Sequence, residues 1–316
     1  MQDTPPIHFD VIVAEGFVLT EMAGVVDVLR LANRVAQREV FAWRYVSASG
    51  GEVASSSAAS VQTAKLTDKS NARYAVALGN ADPDHSELSL ARAIGTYTAR
   101  NARVILLSEA ASRFIAEKGD QADHHTTHWE NRAVLSERHG LYDTKTALAV
   151  DAGAIVTCAG MGATVDMMLS LAAGHVSSAT MMTVADILLH ERIRHHNTLQ
   201  PFGGRAALTT GDRDLDLCVG LMQDHIEFPI PISEIADRAG LSKRSLERRF
   251  HAVLHSTPNG FYRELRLTKA NNLLLNTDMS INEIGLACGF PSGFSTIYRS
   301  AFGMTPNTAR KKGRLK

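Results

Sequence analysis

The first half of the chain alternates short apolar runs with stretches of helical spacing. FDVIVA (9–14), YAVAL (74–78), RVILL (103–107) and AIVTC (154–158) have the length and composition of buried strands. Between them, residues 21–36, 87–100 and 109–118 repeat apolar positions every three or four residues, as amphipathic helices do. Strand and helix in alternation predict βα units around a mostly parallel sheet, an α/β domain of flavodoxin-like type. Residues 164–173 and 179–194 read as helices that close it.

The character of the chain then changes. A stretch rich in Pro, paired Gly and small polar residues, QPFGGRAALTTGD, reads as part of a linker. The sequence therefore predicts an N-terminal domain over residues 1–195, a linker over 196–212 and an all-α domain over 213–316 with two helix-turn-helix units. In the first unit Ile232, Ile235 and Ala236 mark one face of a short helix, and Gly240 supplies the turn. Ser242 is an N-cap for a second helix whose Leu246 and Phe250 point inward. Lys243, Arg244, Glu247 and Arg248 then lie on the outer face of that helix. Arginine there suits the O6 and N7 edge of guanine, and a carboxylate can accept from a cytosine amino group. Arg249 reads as a phosphate contact. The competing reading is a helical hairpin with a charged solvent face.

Charge favours the DNA reading. Lys plus Arg equals Asp plus Glu over the whole chain, 33 each, yet from residue 240 onward there are 13 basic residues against 4 acidic ones. A basic C-terminal portion suits a polyanion. No apolar run reaches the length of a membrane helix. The three cysteines, Cys158, Cys218 and Cys288, are far apart, and the N-terminus has no basic-then-apolar leader, so a reducing cytoplasm is the expected location. The final ARKKGRLK is either a solvated tail or an added phosphate grip.

The segments RLTKANNLLLNTDMSINEIGLACGF and FSTIYRSAFGMTP make residues 214–309 resemble the AraC/XylS family, whose members join two helix-turn-helix units by a long helix. The resemblance places Arg244, Glu247 and Arg248 at base-reading positions. In the second unit GFPSGFST is about two residues shorter than in relatives, with Pro291 and Gly293 where the recognition helix should begin. Thr296 and Arg299 remain as its contacts. The first unit is therefore expected to carry most specificity and the second mostly phosphate contact.

The N-terminal half is similar to the class I glutamine-amidotransferase-like (ThiJ/PfpI) superfamily, in the form fused to AraC-type domains. The marks are FDVIVAEGFVLTEMAGVVDVLRLAN, HTTHWE at 125–130, and TCAGMGATVDMML followed by VADILLHERIR. Catalytic members place a Cys nucleophile at the turn after the strand corresponding to RVILL. Glu21 and His128 match the accompanying Glu and His, but the turn reads Ser108-Glu109-Ala110-Ala111, so either Ser108 or Glu109 takes the slot and no thiol is available. The resemblance thus implies a regulator and not an enzyme. Glu21, Ser108, Glu109, His128 and Trp129 line the expected effector pocket beyond the carboxyl ends of the strands.

Its carboxylates favour a cation, and regulators of this fused type are associated with quaternary amines and amino-acid-like compounds such as betaine, carnitine or arginine. Trp43 is a second aromatic candidate. Cys158 reads as a buried structural thiol. Thr126-Thr127 keeps His124 and His128 off one helical face, so no metal is expected, and no cofactor motif is present. Met161, Met167, Met168, Met181 and Met182 read as core or dimer-contact positions. The expected partners are promoter DNA, a small effector and a second copy of the chain, with no membrane. The alternative is a hydrolase or amidase with an appended DNA-binding domain.

Overall fold

The computed structural model describes residues 5–67, 69–119, 124–140, 146–200 and 210–313. The chain forms two compact units, Met1–Gln200 and Pro201–Lys316. The first holds strands β1 (Ile7–Ile12), β2 (Phe41–Ser47), β3 (Gly51–Ala54), β4 (Ser60–Lys65), β5 (Tyr74–Ala77), β6 (Arg103–Leu107), β7 (Ala149–Ala152) and β8 (Ile155–Cys158). They form one sheet in the order β3-β4-β2-β1-β5-β6-β8-β7. The central strands are parallel, whereas β3 and β7 run antiparallel to their neighbours β4 and β8.

Both faces of the sheet are covered, which is why the inner strands are apolar on both sides. On β5 and β6, Tyr74, Val76, Ile105 and Leu107 join one core, while Ala75, Ala77, Val104 and Leu106 join the other. The first core is completed by helices α1 (Leu19–Ala36), α5 (Gly162–Ala172) and α6 (Ser178–Ile187), the second by α2 (Ala91–Thr98) and α3 (Ser108–Lys118). Helix α4 (Trp129–His139) follows α3 and lays Leu135 against Ile115. Met167, Met168 and Met181 are core residues, whereas Met161 and Met182 are exposed.

The structure adds strands that the hydrophobic pattern does not announce. β2 neighbours β1 yet carries Arg44, whose charge hides the strand in the sequence. Buried Asp10 on β1 answers it, accepting from Arg44 Nε and Nη2 at 2.6 and 3.0 Å, from Ser70 at 2.5 Å and from Tyr97 at 2.6 Å. Burial pushes the Asp10 carboxyl up, but these donors outweigh it and hold the group below its ordinary range.

Three boundaries also differ from expectation. The helix expected over 87–100 is a 3-10 turn (Ser86–Leu88) followed by α2. The helix expected over 179–194 stops at Ile187, because His190 and Arg194 turn back onto buried Asp166 of α5 at 2.8 and 2.6 Å. Residues 196–200, expected in the linker, extend along the start of β7: Thr198 O accepts from Leu148 N at 2.8 Å, His196 O from Ala149 N at 3.1 Å, and Thr146 O from Gln200 N at 2.8 Å. An exposed sheet edge offers backbone partners that a linker segment can satisfy. Residues 201–209 of the expected linker lie outside the described residues, as do 314–316 of the basic tail.

Among its described residues the second unit has helices as its regular elements: α7 (Arg213–Asp224), α8 (Ile232–Arg238), α9 (Lys243–Leu254), α10 (Pro258–Asn276), α11 (Ile281–Ala287), α12 (Phe294–Phe302) and α13 (Pro306–Gly313). Two cores form. Leu215, Cys218, Met222, Ile235, Leu246 and Phe250 unite α7, α8 and α9, while Ala270, Leu274, Ile284, Phe290 and Tyr298 unite α10, α11 and α12. Side-chain caps start the helices where the sequence places Asp212, Ser242, Thr257 and Ser280, the last in a capping box with Glu283. Among the described residues no helix is long and apolar enough to cross a membrane.

Candidate functional site

Two helix-turn-helix units, α8–α9 and α11–α12, follow one plan. In the first, Gly240 takes φ +68° at the turn and the Ser242 hydroxyl accepts from Ser245 N at 3.2 Å, so α9 starts cleanly at Lys243. Leu246 and Phe250 are fully buried. Lys243, Arg244, Glu247 and Arg248 are all exposed on the outer side of α9. Arg249 has a different neighbourhood from the one its charge suggests. It binds Asp212, the cap of α7, and lies 3.3 Å from Asp214, so it ties α9 to α7.

The second unit departs from the first at its recognition helix. α12 has nine residues against twelve in α9, and its N-cap is Gly293 at φ +70°, with no side-chain cap. Thr296 and Arg299 are exposed on α12, and Phe294 and Tyr298 are buried. A cleft of about 430 Å³ opens beside its start, between α11 and the 290–296 turn.

In the first unit the turn from β6 into α3 forms a compact acidic cluster. Ser108 has φ +32°, a backbone conformation that side chains resist and that nucleophile turns impose. Its hydroxyl lies 2.6 Å from Glu21 Oε1 and 2.8 Å from Glu109 Oε2. Of the two residues the sequence leaves in contention for the slot, the turn itself belongs to Ser108, and Glu109 stands beside it. Gly79 N donates to Glu21 Oε2 at 2.7 Å and Met161 N to Glu21 Oε1 at 3.0 Å. Glu109 accepts from Asn80 N at 3.1 Å and from Asn131 Nδ2 at 3.2 Å. Thr127 Oγ1 donates to Ser108 O at 2.6 Å.

A hydroxyl has one hydrogen, so two short contacts to carboxylate oxygens require a further proton on one of the carboxyls. Glu21 is the group that can keep it. Burial raises its pKa to about 7 and Glu109 adds to the rise, against the pull of Ser108, Gly79 and Met161. Glu21 and Ser108 are also sealed from solvent, with 0% exposure each. The seal is tight because two glycines make it. A Cβ on Gly79 would fall 2.0 Å from Ser108 Oγ, and one on Gly160 would fall 2.0 Å from Glu21 Oε1.

The structure thus brings Glu21, Ser108 and Glu109 together. His128 pairs with Glu130 at 3.4 Å and packs against Trp129 at a ring distance of 5.5 Å; it makes no hydrogen bond to Ser108 among the described residues. Trp43 packs against the first core on β2, away from this cluster. Cys158 is fully buried and its thiol is pushed up to about 12 by burial. Gly79, Asn80, Gly160, Met161 and Asn131 complete the cluster. Backbone donors leave no side-chain signature, so only the glycines after β5 and β8 could have hinted at them. Among the described residues no group of three or more His, Cys, Asp or Glu is placed to hold a metal ion.

A mostly parallel α/β domain followed by paired helix-turn-helix units is the architecture of a two-domain transcription regulator, and the comparisons with known proteins support that class. Residues 235–312 match a family described as a helix-turn-helix domain. The transcriptional regulator GbdR of Pseudomonas aeruginosa is 30% identical over 316 residues, covering 98% of this chain and 86% of that protein. CdhR of the same species is 31% identical over 301 residues, covering 93% and 89%. An AraC family transcriptional regulator from Pseudomonas putida shares the fold of the first unit, with a TM-score of 0.51 at 22% identity over 58% of this chain and 100% of that structure. The chain belongs to the AraC family of helix-turn-helix transcription regulators.

Proposed function

We propose that the chain regulates transcription as a cytoplasmic homodimer, with α9 reading bases through Lys243, Arg244, Glu247 and Arg248, and α12 adding Thr296 and Arg299. The observation that carries this reading is the outer face of α9. Four charged side chains stand exposed there while the helix core is complete without them. Two copies on one promoter gain affinity through effective concentration. The sensor and DNA-binding domains are joined through the segment around 201–212.

The N-terminal domain acts as an effector sensor and not as an enzyme. Ser108 and its neighbour Glu21 are both sealed from solvent, so the hydroxyl is out of reach of a substrate. Glu109, His128 and Trp129 are half-buried and not sealed, and a site that offers carboxylate and aromatic groups favours a cationic amine or amino-acid-like effector.

The test titrates purified protein with betaine, carnitine and arginine while following thermal unfolding and affinity for a promoter fragment. A compound that raises Tm and changes DNA affinity in wild type, but not in Glu109→Gln, supports the sensor reading. If none acts, and ester, amide or glyoxal turnover is detected and lost in Ser108→Ala, the domain is a hydrolase.

A further inference from the structure

Beyond the helix faces that touch DNA, the second unit contains one polar junction that both helix-turn-helix units share. It is built on Arg266 of the connecting helix α10. Its Nη1 donates to Gly289 O at 3.0 Å, in the turn between α11 and α12. Its guanidinium carbon lies 4.4 Å from the centre of the Phe290 ring and 5.3 Å from that of Tyr262. The Tyr262 hydroxyl donates to His225 O at 2.6 Å, at the end of α7. Ile226, which follows, is buried in the core of the second helix-turn-helix unit although it leads into the first.

Gly289 closes the junction from the other side. At φ +72° it comes so near the loop between α7 and α8 that a Cβ would fall 2.4 Å from Pro229 Cγ and 2.6 Å from Ile226 O. The turn that aims α12 therefore rests directly on the loop that leads into α8 and α9, with Arg266 stapled across the contact.

We propose that Arg266 is a positioning residue that sets the phase between the two recognition helices, and so the spacing between the two DNA segments the protein reads. One base-pair step advances about 3.4 Å and turns the groove by about a tenth of a helical repeat. A junction that slips by a few ångströms moves α12 off its segment while leaving α9 on its own. The planar guanidinium suits the task because it stacks on a ring and donates in plane at once, and neither a lysine nor a methionine does both.

The test is selection of binding sites by the full chain from a DNA library whose two randomised segments are separated by spacers of different length. Wild type should select one spacing. Arg266→Lys and Arg266→Met should still select the segment read by α9, while discrimination between neighbouring spacings drops by roughly tenfold, the weight of one mismatched base pair. Gly289→Ala, which pushes on the same contact without touching Arg266, should shift or broaden the preferred spacing as well. Thermal unfolding of each variant identifies any that does not fold, and Arg266→Lys, which keeps stem and charge, then decides. Wild-type spacing preference in a folded Arg266→Lys variant overturns the proposal, as does an equal loss of affinity at every spacing.

Discussion

Ser108 shares its hydroxyl between two carboxylates, and burial beside it raises the affinity of Glu21 for a proton. The cluster makes stability depend on pH through Glu21. Its pKa in the folded chain, about 7, lies above the ordinary value of 4.5. The associated stability is therefore fully present below about pH 4.5 and is lost as pH rises through about 7. A shift of that size corresponds to roughly 3 kcal/mol at most. Resistance of wild type to urea should fall between about pH 4.5 and 7, whereas Glu21→Gln, which cannot ionise, should show a flatter profile. Equal pH profiles would place the proton elsewhere.

Gly160→Ala should collapse the same cluster, since the new methyl group would lie on Glu21 Oε1 in a residue held at φ +76°. Loss of at least about 2 kcal/mol of stability, read by the same unfolding assay, is expected. Glu21, Ser108 and Glu109 were singled out in the sequence by the resemblance and by the turn. Their mutual contact was not, since Glu21 and Ser108 are 87 residues apart and meet only when α1 and α3 are packed on the sheet.

At the level of elements, the strands that stood out in the sequence were those buried on both faces. β2 escaped because Arg44 breaks its pattern, and only the folded chain shows Asp10 opposite it. β3 and β4 escaped because most of their residues are exposed or half-exposed, which removes the apolar signal. The helix boundary at 187 likewise depends on a tertiary partner, Asp166. α9, in contrast, was legible almost to the residue, since its cap, buried positions and exposed positions are all local.

Arg249 separates these two kinds of information. Its charge and place on α9 suggest a phosphate contact, but the folded domain engages it with Asp212 and Asp214. Arg249→Ala should therefore leave the salt dependence of DNA binding unchanged while slightly lowering Tm, as expected for a partly exposed ion pair. A true phosphate contact would lower the slope of log affinity against log salt by about 0.9, which a filter-binding series at several salt concentrations would detect.

On the scale of the whole molecule, zero net charge conceals a division of labour that the two units make physical. The basic residues gathered after residue 240 belong to the helical unit, and the acidic excess lies upstream. The central claim is sequence-specific DNA recognition through α9, and its most direct test is capture of genomic DNA fragments on purified protein, followed by sequencing. Wild type and Arg244→Ala/Arg248→Ala should be compared at one salt concentration, with folding of both checked by thermal unfolding. The account predicts strong enrichment of a few sites by wild type and loss of that enrichment in the folded double variant. Retention of the same sites by the double variant would contradict it.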